Sequence, residues 1–184
     1  MDLRLKTAPD YQPVTTAEAK TECQIDFSDD DTLIANLIKS ATQYCENYID
    51  GSIQQQTWEV QFEIGEDEYY IPRGPVSSVT HVKRVYQDGT LSDVLTNGTD
   101  YYLKGMDDIW FEPVTTTFNT TGNTQIGWRI EFVAGWTSGS EPQAILDAIL
   151  KTVRHFYDDN TSGEKKIPFD VMQMLSGYRK TPVI

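Results

Sequence analysis

The side chains best able to carry chemistry, two histidines and two cysteines, are far apart in this sequence. His81 falls in an alternating, strand-like stretch, and His155 lies on a predicted helix beside its apolar stripe. Histidine catalysis needs a nucleophile or a carboxylate aimed at the ring, and no such motif accompanies either residue. Cys23 and Cys45 match no CxxC or His-x-x-x-His spacing, so we predict reduced thiols and no structural zinc site.

The acidic run Asp29-Asp30-Asp31 is the remaining candidate for chemistry, as a divalent cation site. Calcium loops space their ligands at alternate positions and close with a distant glutamate, and this run does neither. It stands just before a periodic apolar stretch, where carboxylates favour free helix amides and the helix dipole. We therefore predict helix capping.

Catalytic sequence motifs are also missing. The chain has no Gly-x-Ser-x-Gly, no phosphate-binding glycine loop and no His-Glu-x-x-His. The expectation is a protein that is not an enzyme, with no catalytic residue, no cofactor and no bound metal.

Aromatic side chains cluster in the second half of the sequence. They are Trp110, Trp128 and Trp136, with Tyr101, Tyr102 and Phe111. One interpretation is a concave aromatic site, which would make the protein a monomeric ligand- or carbohydrate-binding β module. The other is a protein core or a subunit interface, because aromatic residues dominate both.

Composition narrows the function further. The 184 residues carry a formal net charge of −13, which opposes wrapping around nucleic acid because phosphate contacts need clustered Lys and Arg. No run approaches the roughly 18 apolar residues of a membrane helix, and Met1–Lys6 lacks the apolar segment of a signal peptide. We expect no membrane partner and a protein that stays in the cytoplasm where it is made.

Periodic apolar residues predict the helices that position these groups. Thr15 and Glu18 form a capping box that starts a short helix, about residues 16–22. Longer amphipathic helices are predicted over residues 30–49, with a stop at Asp50-Gly51, and from Pro142 to Tyr157. Their predicted core residues are Leu33, Leu37, Ile38, Tyr44, Ile145, Ile149, Val153 and Phe156. A short element follows over Pro168–Leu175.

Residues 52–141 read as strands and turns. The candidate strands are Thr57–Ile64, Tyr69–Ile71, Val79–Tyr86, Asp100–Lys104, Ile109–Phe111 and Trp128–Val133. The predicted fold class is α+β: a small helical bundle of two long amphipathic helices plus short helices, with an inserted antiparallel β region. The predicted parts are residues 1–51 (helical), 52–141 (inserted β region) and 142–184 (helical part and tail), all in one structural unit.

Seven short segments, spread over nearly the whole chain, resemble a known family in their order. They are Thr15-Thr16-Ala17-Glu18-Ala19-Lys20, Asp30-Asp31-Thr32-Leu33-Ile34, Glu46-x-Tyr48 with Gly51 and Gln56-Thr57-Trp58, Ile71-Pro72-Arg73-Gly74-Pro75-Val76-Ser77-Ser78-Val79, Phe132-Val133-Ala134-Gly135-Trp136, Pro142-x-x-Ile145-x-x-Ala148-Ile149-Leu150 and Leu175-Ser176-Gly177-Tyr178-Arg179. The family is that of the head-to-tail connector adaptors, or head-completion proteins, of tailed bacteriophages and related gene transfer particles.

This resemblance implies a structural virion protein at the head–tail junction. It implies a ring of twelve copies below the portal protein and above a neck, stopper or tail-completion protein, with DNA passing through the lumen without sequence-specific binding. The net charge suggests an acidic lumen wall. We also expect the C-terminal tail to dock onto the portal through Gly177, Tyr178, Arg179, Lys180, Pro182 and Ile184.

Overall fold

The computed structural model describes residues 1–106, 108–114, 119–120, 123–158 and 168–180. Helix and strand take roughly equal shares of these residues, and the strands form two antiparallel sheets. The predicted fold class is therefore wrong, since the β part is not a short region inserted into a bundle of two long helices. The chain separates into two compact units, one of residues 1–8 and 55–135 and one of residues 9–54 and 136–184.

Within the described residues, the β unit contains eight strands. They are β1 (Asp2–Thr7), β2 (Gln56–Glu63), β3 (Tyr69–Tyr70), β4 (Val76–Tyr86), β5 (Tyr101–Lys104), β6 (Trp110–Pro113), β7 (Asn119–Thr120) and β8 (Asn123–Ala134). The larger sheet has the order β1-β2-β8-β4, with β7 paired to β8, and the smaller sheet has the order β3-β6-β5. The alternation of β2 and β8 puts apolar side chains on one face of the larger sheet, as strand geometry requires.

That apolar face forms a core with the smaller sheet. Phe111 of β6 packs its ring edge-on against Trp128 of β8, with 5.3 Å between ring centroids. Val60, Ile130 and Phe132 are fully buried in the same cluster. Because the β unit has an aromatic core of its own, it does not need the helices to bury its apolar face.

Strand β1 was not predicted from the sequence. Its residues pair antiparallel with β2, from Asp2 opposite Gln61 to Thr7 opposite Thr57. The segment Asp2–Thr7 carries three charged side chains and lies at the start of the chain, so its composition resembles a solvated tail. Only the pairing with β2, some fifty residues away in sequence, identifies it as a strand.

The helical unit contains four α-helices among its described residues, α1 (Thr16–Cys23), α2 (Asp31–Ile49), α3 (Gln143–Asp158) and α4 (Phe169–Leu175), followed by a 3₁₀ turn at Ser176–Tyr178. The capping box predicted for α1 is present, because Thr15 accepts a hydrogen bond from the Glu18 amide and Glu18 accepts one from the Thr15 amide. Helix α2 ends at Ile49, and the following residue, Asp50, adopts the left-handed conformation (φ 50°) that the sequence predicted for Gly51.

Asp30 occupies the N-cap position of α2 but does not cap it with its side chain. Its carboxylate instead accepts a 2.7 Å hydrogen bond from the Tyr157 hydroxyl of α3, and the neighbouring Asp31 pairs with Lys20 of α1 at 2.7 Å. The predicted capping role of the acidic run is thus corrected. These carboxylates link α2 to the two helices beside it.

Six of the eight residues predicted for the helical core are buried. They are Leu37, Ile38, Ile145, Ile149, Val153 and Phe156. Leu33 and Tyr44 are instead 39% and 40% exposed. The apolar repeat of α2 correctly predicts which side of the helix is buried. The part of the α2 surface that α3 and the neighbouring elements cover is narrower than the repeat predicts. Tyr44 lies at the rim of that part, its ring edge-on to Phe156 at 5.3 Å.

Candidate assembly surfaces

The C-terminal segment packs against the helical unit from which it extends. The Tyr178 ring lies edge-on to Trp136, with 6.3 Å between centroids, and the Arg179 guanidinium lies 5.7 Å above the ring of Tyr48. The first contact has the geometry of an edge-to-face aromatic pair, and the second has that of a cation–π interaction. We call Gly177–Lys180 and its contacts the C-terminal clasp.

A backbone hydrogen bond completes the clasp. The Lys180 amide donates to the Ile49 carbonyl at 2.8 Å, satisfying one of the free carbonyls at the end of α2. Gly177 is exposed and has open space around it. Of the tail residues predicted to dock on the portal, Tyr178 and Arg179 therefore contact their own chain, while Pro182 and Ile184 lie outside the described residues.

A second surface is the outward side of α2, which carries almost no charge. Its side chains, which we call the α2 stripe, are Leu33, Asn36, Ser40, Gln43, Tyr44 and Asn47. The three amide side chains are exposed and Ser40 is half-buried. Leu33 and Tyr44 are the two residues that the apolar repeat assigned to the core.

The outer face of the larger sheet is a third surface, and it is highly charged. Arg4 of β1 pairs with Glu59 of β2 at 2.7 Å, and Arg129 of β8 donates to Gln61 at 2.9 Å. Lys6 of β1 donates to Glu131 of β8, and His81 Nδ1 lies 3.7 Å from the same carboxylate. Sequence analysis missed this network, although Asp2, Arg4 and Lys6 alternate as they must on one face of a strand.

The carboxylates of this network lie beneath its cations. The side chains of Glu59 and Glu131 are 13% and 19% exposed, against 66% for Arg4 and 45% for Lys6. The hydrogen bond from Lys6 lowers the pKa of Glu131 below its usual value, assisted by the charge of Lys6 and by His81. This arrangement links side chains of β1, β2, β8 and β4 and lines a polar pocket to which Lys83 and Leu91 also contribute.

The residues considered for chemistry are dispersed in the structure. His81 belongs to the β unit, and His155 lies on α3 in the helical unit with its ring 6.2 Å from Phe156. Cys45 is buried with Sγ 4.0 Å from Thr152 Oγ1, and burial raises its pKa to about 12. Burial likewise raises the pKa of Cys23. No group of three or more possible metal ligands occurs among the described residues.

The aromatic residues do not form one exposed face. Trp128, Phe111 and Tyr101 lie in the core of the β unit. Trp136 belongs to the helical unit and contacts the clasp, while Tyr102 is 49% exposed. The described part of the chain also has no helix long and apolar enough to cross a membrane.

Comparison with known proteins gives one family and several similar structures. A family model described as "HCP: Head completion protein" matches residues 13–181. No curated protein sequence matches the chain.

The similar structures come from gene transfer agent (GTA) particles. A chain from the neck of an empty GTA particle, solved with C6 symmetry, has a TM-score of 0.79 at 20% identity; the match covers 100% of this chain and 98% of that chain. A chain from the virion of the native particle gives the same values. One from the native neck with C12 symmetry gives a TM-score of 0.76 at 20% identity, with the same coverage. At this identity the likeness shows a shared fold.

Proposed function

Because the chain belongs to the head completion protein family, we propose that it is a structural protein of a phage-like particle, located in the neck where the head joins the tail. The observation that carries this proposal is the extent of the family match, which runs from residue 13 to residue 181 and so covers most of both compact units. A shared helix or sheet alone would not support it, since one fold hosts many functions.

We infer that the working form is a ring of twelve copies. Solved structures that share this fold were obtained from GTA necks with C6 and C12 symmetry, which supports a rotational assembly. A ring of identical chains needs two different surface patches on each copy, because head-to-tail contacts must repeat around the axis. The role is structural and requires no reaction chemistry from the dispersed histidines and cysteines.

In the proposed ring, DNA passes through the lumen without sequence-specific binding. A net charge of −13 per copy supports this, since acidic walls and phosphates repel each other and do not form lasting contacts. A lumen lined mainly by Lys and Arg would contradict this part of the proposal.

The portal contact is assigned to the C-terminal tail. The clasp holds Tyr178, Arg179 and Lys180 on the helical unit, so Lys180 lies at a fixed point beside the end of α2. A short peptide that starts from a fixed point loses less entropy on binding than a free one. We propose that the clasp positions the tail and that Pro182 and Ile184 supply contacts to the portal above the ring, while a neck, stopper or tail-completion protein binds below.

The test is light scattering of the purified chain, alone and mixed with a portal ring from the same source. We expect a ring alone, or a defined complex on mixing. Deleting residues 181–184 should abolish portal binding without changing the melting temperature. The control is Tyr178→Ala, which removes a clasp contact while keeping residues 181–184, and should lower the melting temperature slightly and weaken portal binding only partly.

Two outcomes would contradict these proposals separately. Unchanged portal affinity after the deletion would reject the docking role of the tail and leave the ring in place. A wild-type chain that stays monomeric and ignores the portal would reject the neck function and favour the ligand-binding β module.

A further inference from the structure

The α2 stripe differs from the rest of the surface in its charge. Between Thr32 and Asn47 the charged residues are Lys39 and Glu46, and Glu46 is engaged by the Ile53 amide at 2.8 Å. The stripe presents two apolar side chains, three amides and a hydroxyl along about four helical turns. In a chain of net charge −13, an exposed helix face without carboxylates needs an explanation.

Charge determines which partner fits this stripe. Binding of nucleic acid needs Lys and Arg side chains, and binding of a basic partner needs carboxylates. The stripe contains neither kind of side chain. A second copy of this chain fits, because every copy is strongly acidic and two copies approach with least repulsion through uncharged surfaces. Exposed Tyr and Leu surrounded by neutral polar groups also match the composition of subunit interfaces, which are depleted of charge at the centre.

A second uncharged patch lies on α4. Phe169 is 71% exposed, Gln173 follows it on the same side of the helix four residues later, and Ser176 is exposed in the 3₁₀ turn after the helix. The carboxylate beside Phe169, that of Asp170, pairs with Lys151 of α3 at 3.3 Å. Among the described residues of the helical unit, Phe169 is the most exposed large apolar side chain.

We propose that the α2 stripe of one copy packs against the Phe169 side of α4 in the next copy. This inference rests on the proposed ring and names the two patches that alternate around it. The contact is heterologous, as a closed ring requires, and it buries Leu33, Tyr44 and Phe169, none of which carries a charge.

The size of the stripe predicts a weak pairwise contact. Fifteen residues of helix span roughly 22 Å, and a helix is about 10 Å wide, so the stripe offers roughly 200 Å². A stable interface buries about 800 Å² on each partner. Two isolated copies should therefore associate weakly, whereas closure of the ring or attachment to the portal raises the effective concentration of neighbours and stabilises the assembly.

The experiment uses full-length chains under the condition in which the wild type assembles, either concentrated or on a portal ring. One variant carries Leu33→Asp and Gln43→Glu on the stripe, and a second carries Phe169→Glu on α4. The control carries Ala17→Glu and Thr21→Glu on the exposed side of α1, which lowers the net charge as much as the stripe variant does. Because all five positions are exposed or partly exposed, circular dichroism and melting should show folded proteins.

We expect neither the stripe variant nor the Phe169 variant to assemble alone, while the control assembles like the wild type. A concentrated equimolar mixture of the two defective variants should then form a weak, reversible complex of two chains and nothing larger in sedimentation velocity, since each supplies one intact patch. This halted complex distinguishes a heterologous contact from general destabilisation.

Wild-type assembly by either single variant would overturn the proposal while leaving the ring intact. Two defective variants that form no two-chain complex even in the concentrated mixture would overturn the pairing of these two patches. If the wild type assembles neither alone nor on the portal, the ring itself is wrong and this inference fails with it.

Discussion

Glu131 links three strands of the larger sheet through a single carboxylate. It lies on β8, accepts a hydrogen bond from Lys6 of β1 and faces His81 of β4. The hydrogen bond from Lys6 holds the pKa of Glu131 below its usual 4.5, so the ionised form is favoured in the folded chain. Its contribution to stability is therefore present at neutral pH and is lost as pH falls through the lowered pKa.

We predict that Glu131→Gln lowers stability at pH 7 by about 1 kcal/mol or less, because Lys6 remains 45% exposed and water screens the pair. The difference from wild type should shrink as the pH falls from the usual carboxyl pKa of 4.5 through the lowered pKa of Glu131, because the wild-type carboxyl then becomes protonated as well. Chemical denaturation of both proteins across this pH range measures the effect. Glu63→Gln, at an exposed position ending β2, is the control and should show little difference at any pH. A constant gap for Glu131→Gln would mean that its charge is not involved.

Gly127 of β8 lies where the neighbouring strand β2 leaves no room for a side chain. A Cβ atom at this position would lie 2.3 Å from the carbonyl oxygen of Phe62, well inside contact distance, and backbone cannot yield as a flexible side chain does. We predict that Gly127→Ala lowers the free energy of unfolding by about 2 kcal/mol or more through displaced strands. Gly177→Ala is the control, since nothing lies within 4 Å of its added Cβ. Equal melting temperatures for both variants would show that β2 and β8 separate at little cost.

Helix α2 allows its two sides to be compared directly. Leu37 is 5% exposed in the helical core, whereas Leu33, one turn earlier, is 39% exposed. Leu37→Asp buries an unpaired carboxylate and should cost more than about 3 kcal/mol or prevent folding. Leu33→Asp should change stability by less than about 1 kcal/mol, because its charge reaches water. Urea denaturation of the two variants tests the assignment, and a reversed order would show that the buried face is misplaced.

Local signals predicted the helices well but not the arrangement of the elements. The capping box of Thr15 and Glu18 and the apolar repeats of α2 and α3 are short-range features, and each helix lies within a residue or two of its predicted bounds. The pairing of β1 with β2 joins distant segments, and no local pattern in Asp2–Thr7 specifies it. For the same reason, the contact of Tyr178 with Trp136 could not be read from a tail that resembles a mobile terminus.

The same difference between local signals and long-range contacts applies to the candidate assembly surfaces. The sequence predicted Tyr178 and Arg179 as contact residues of the C-terminal tail. Whether they contact their own chain or a partner depends on tertiary packing, which the sequence does not show. Leu33 and Tyr44 fit the apolar repeat of α2, and their exposure depends on how far α3 and its neighbours extend around the helix. A periodic pattern gives the direction of the apolar side; tertiary contacts set its width.

Charge is unevenly distributed over the whole molecule. Residues 9–54 contain nine acidic and two basic side chains, whereas residues 136–184 contain six of each. The α2 stripe thus lies within the most acidic part of the chain, yet it carries none of those carboxylates. An assembly of identical copies must bring such parts together, and the repulsion between them is a long-range cost that the uncharged contact does not remove.

The effect of ionic strength on assembly should therefore show whether the contact between copies is uncharged or made of ion pairs. The Debye length falls from about 30 Å at 0.01 M salt to about 8 Å at 0.15 M, so salt screens repulsion between acidic copies while leaving contacts between uncharged side chains intact. We predict that raising salt over this range strengthens association of the wild-type chain, measured as the concentration at which oligomers appear in sedimentation velocity. If residues such as Lys6 and Glu131 instead formed ion pairs between copies, salt would screen those ion pairs and the oligomer would dissociate. Weaker assembly at higher salt would thus move the interface from the α2 stripe to the charged face of the larger sheet.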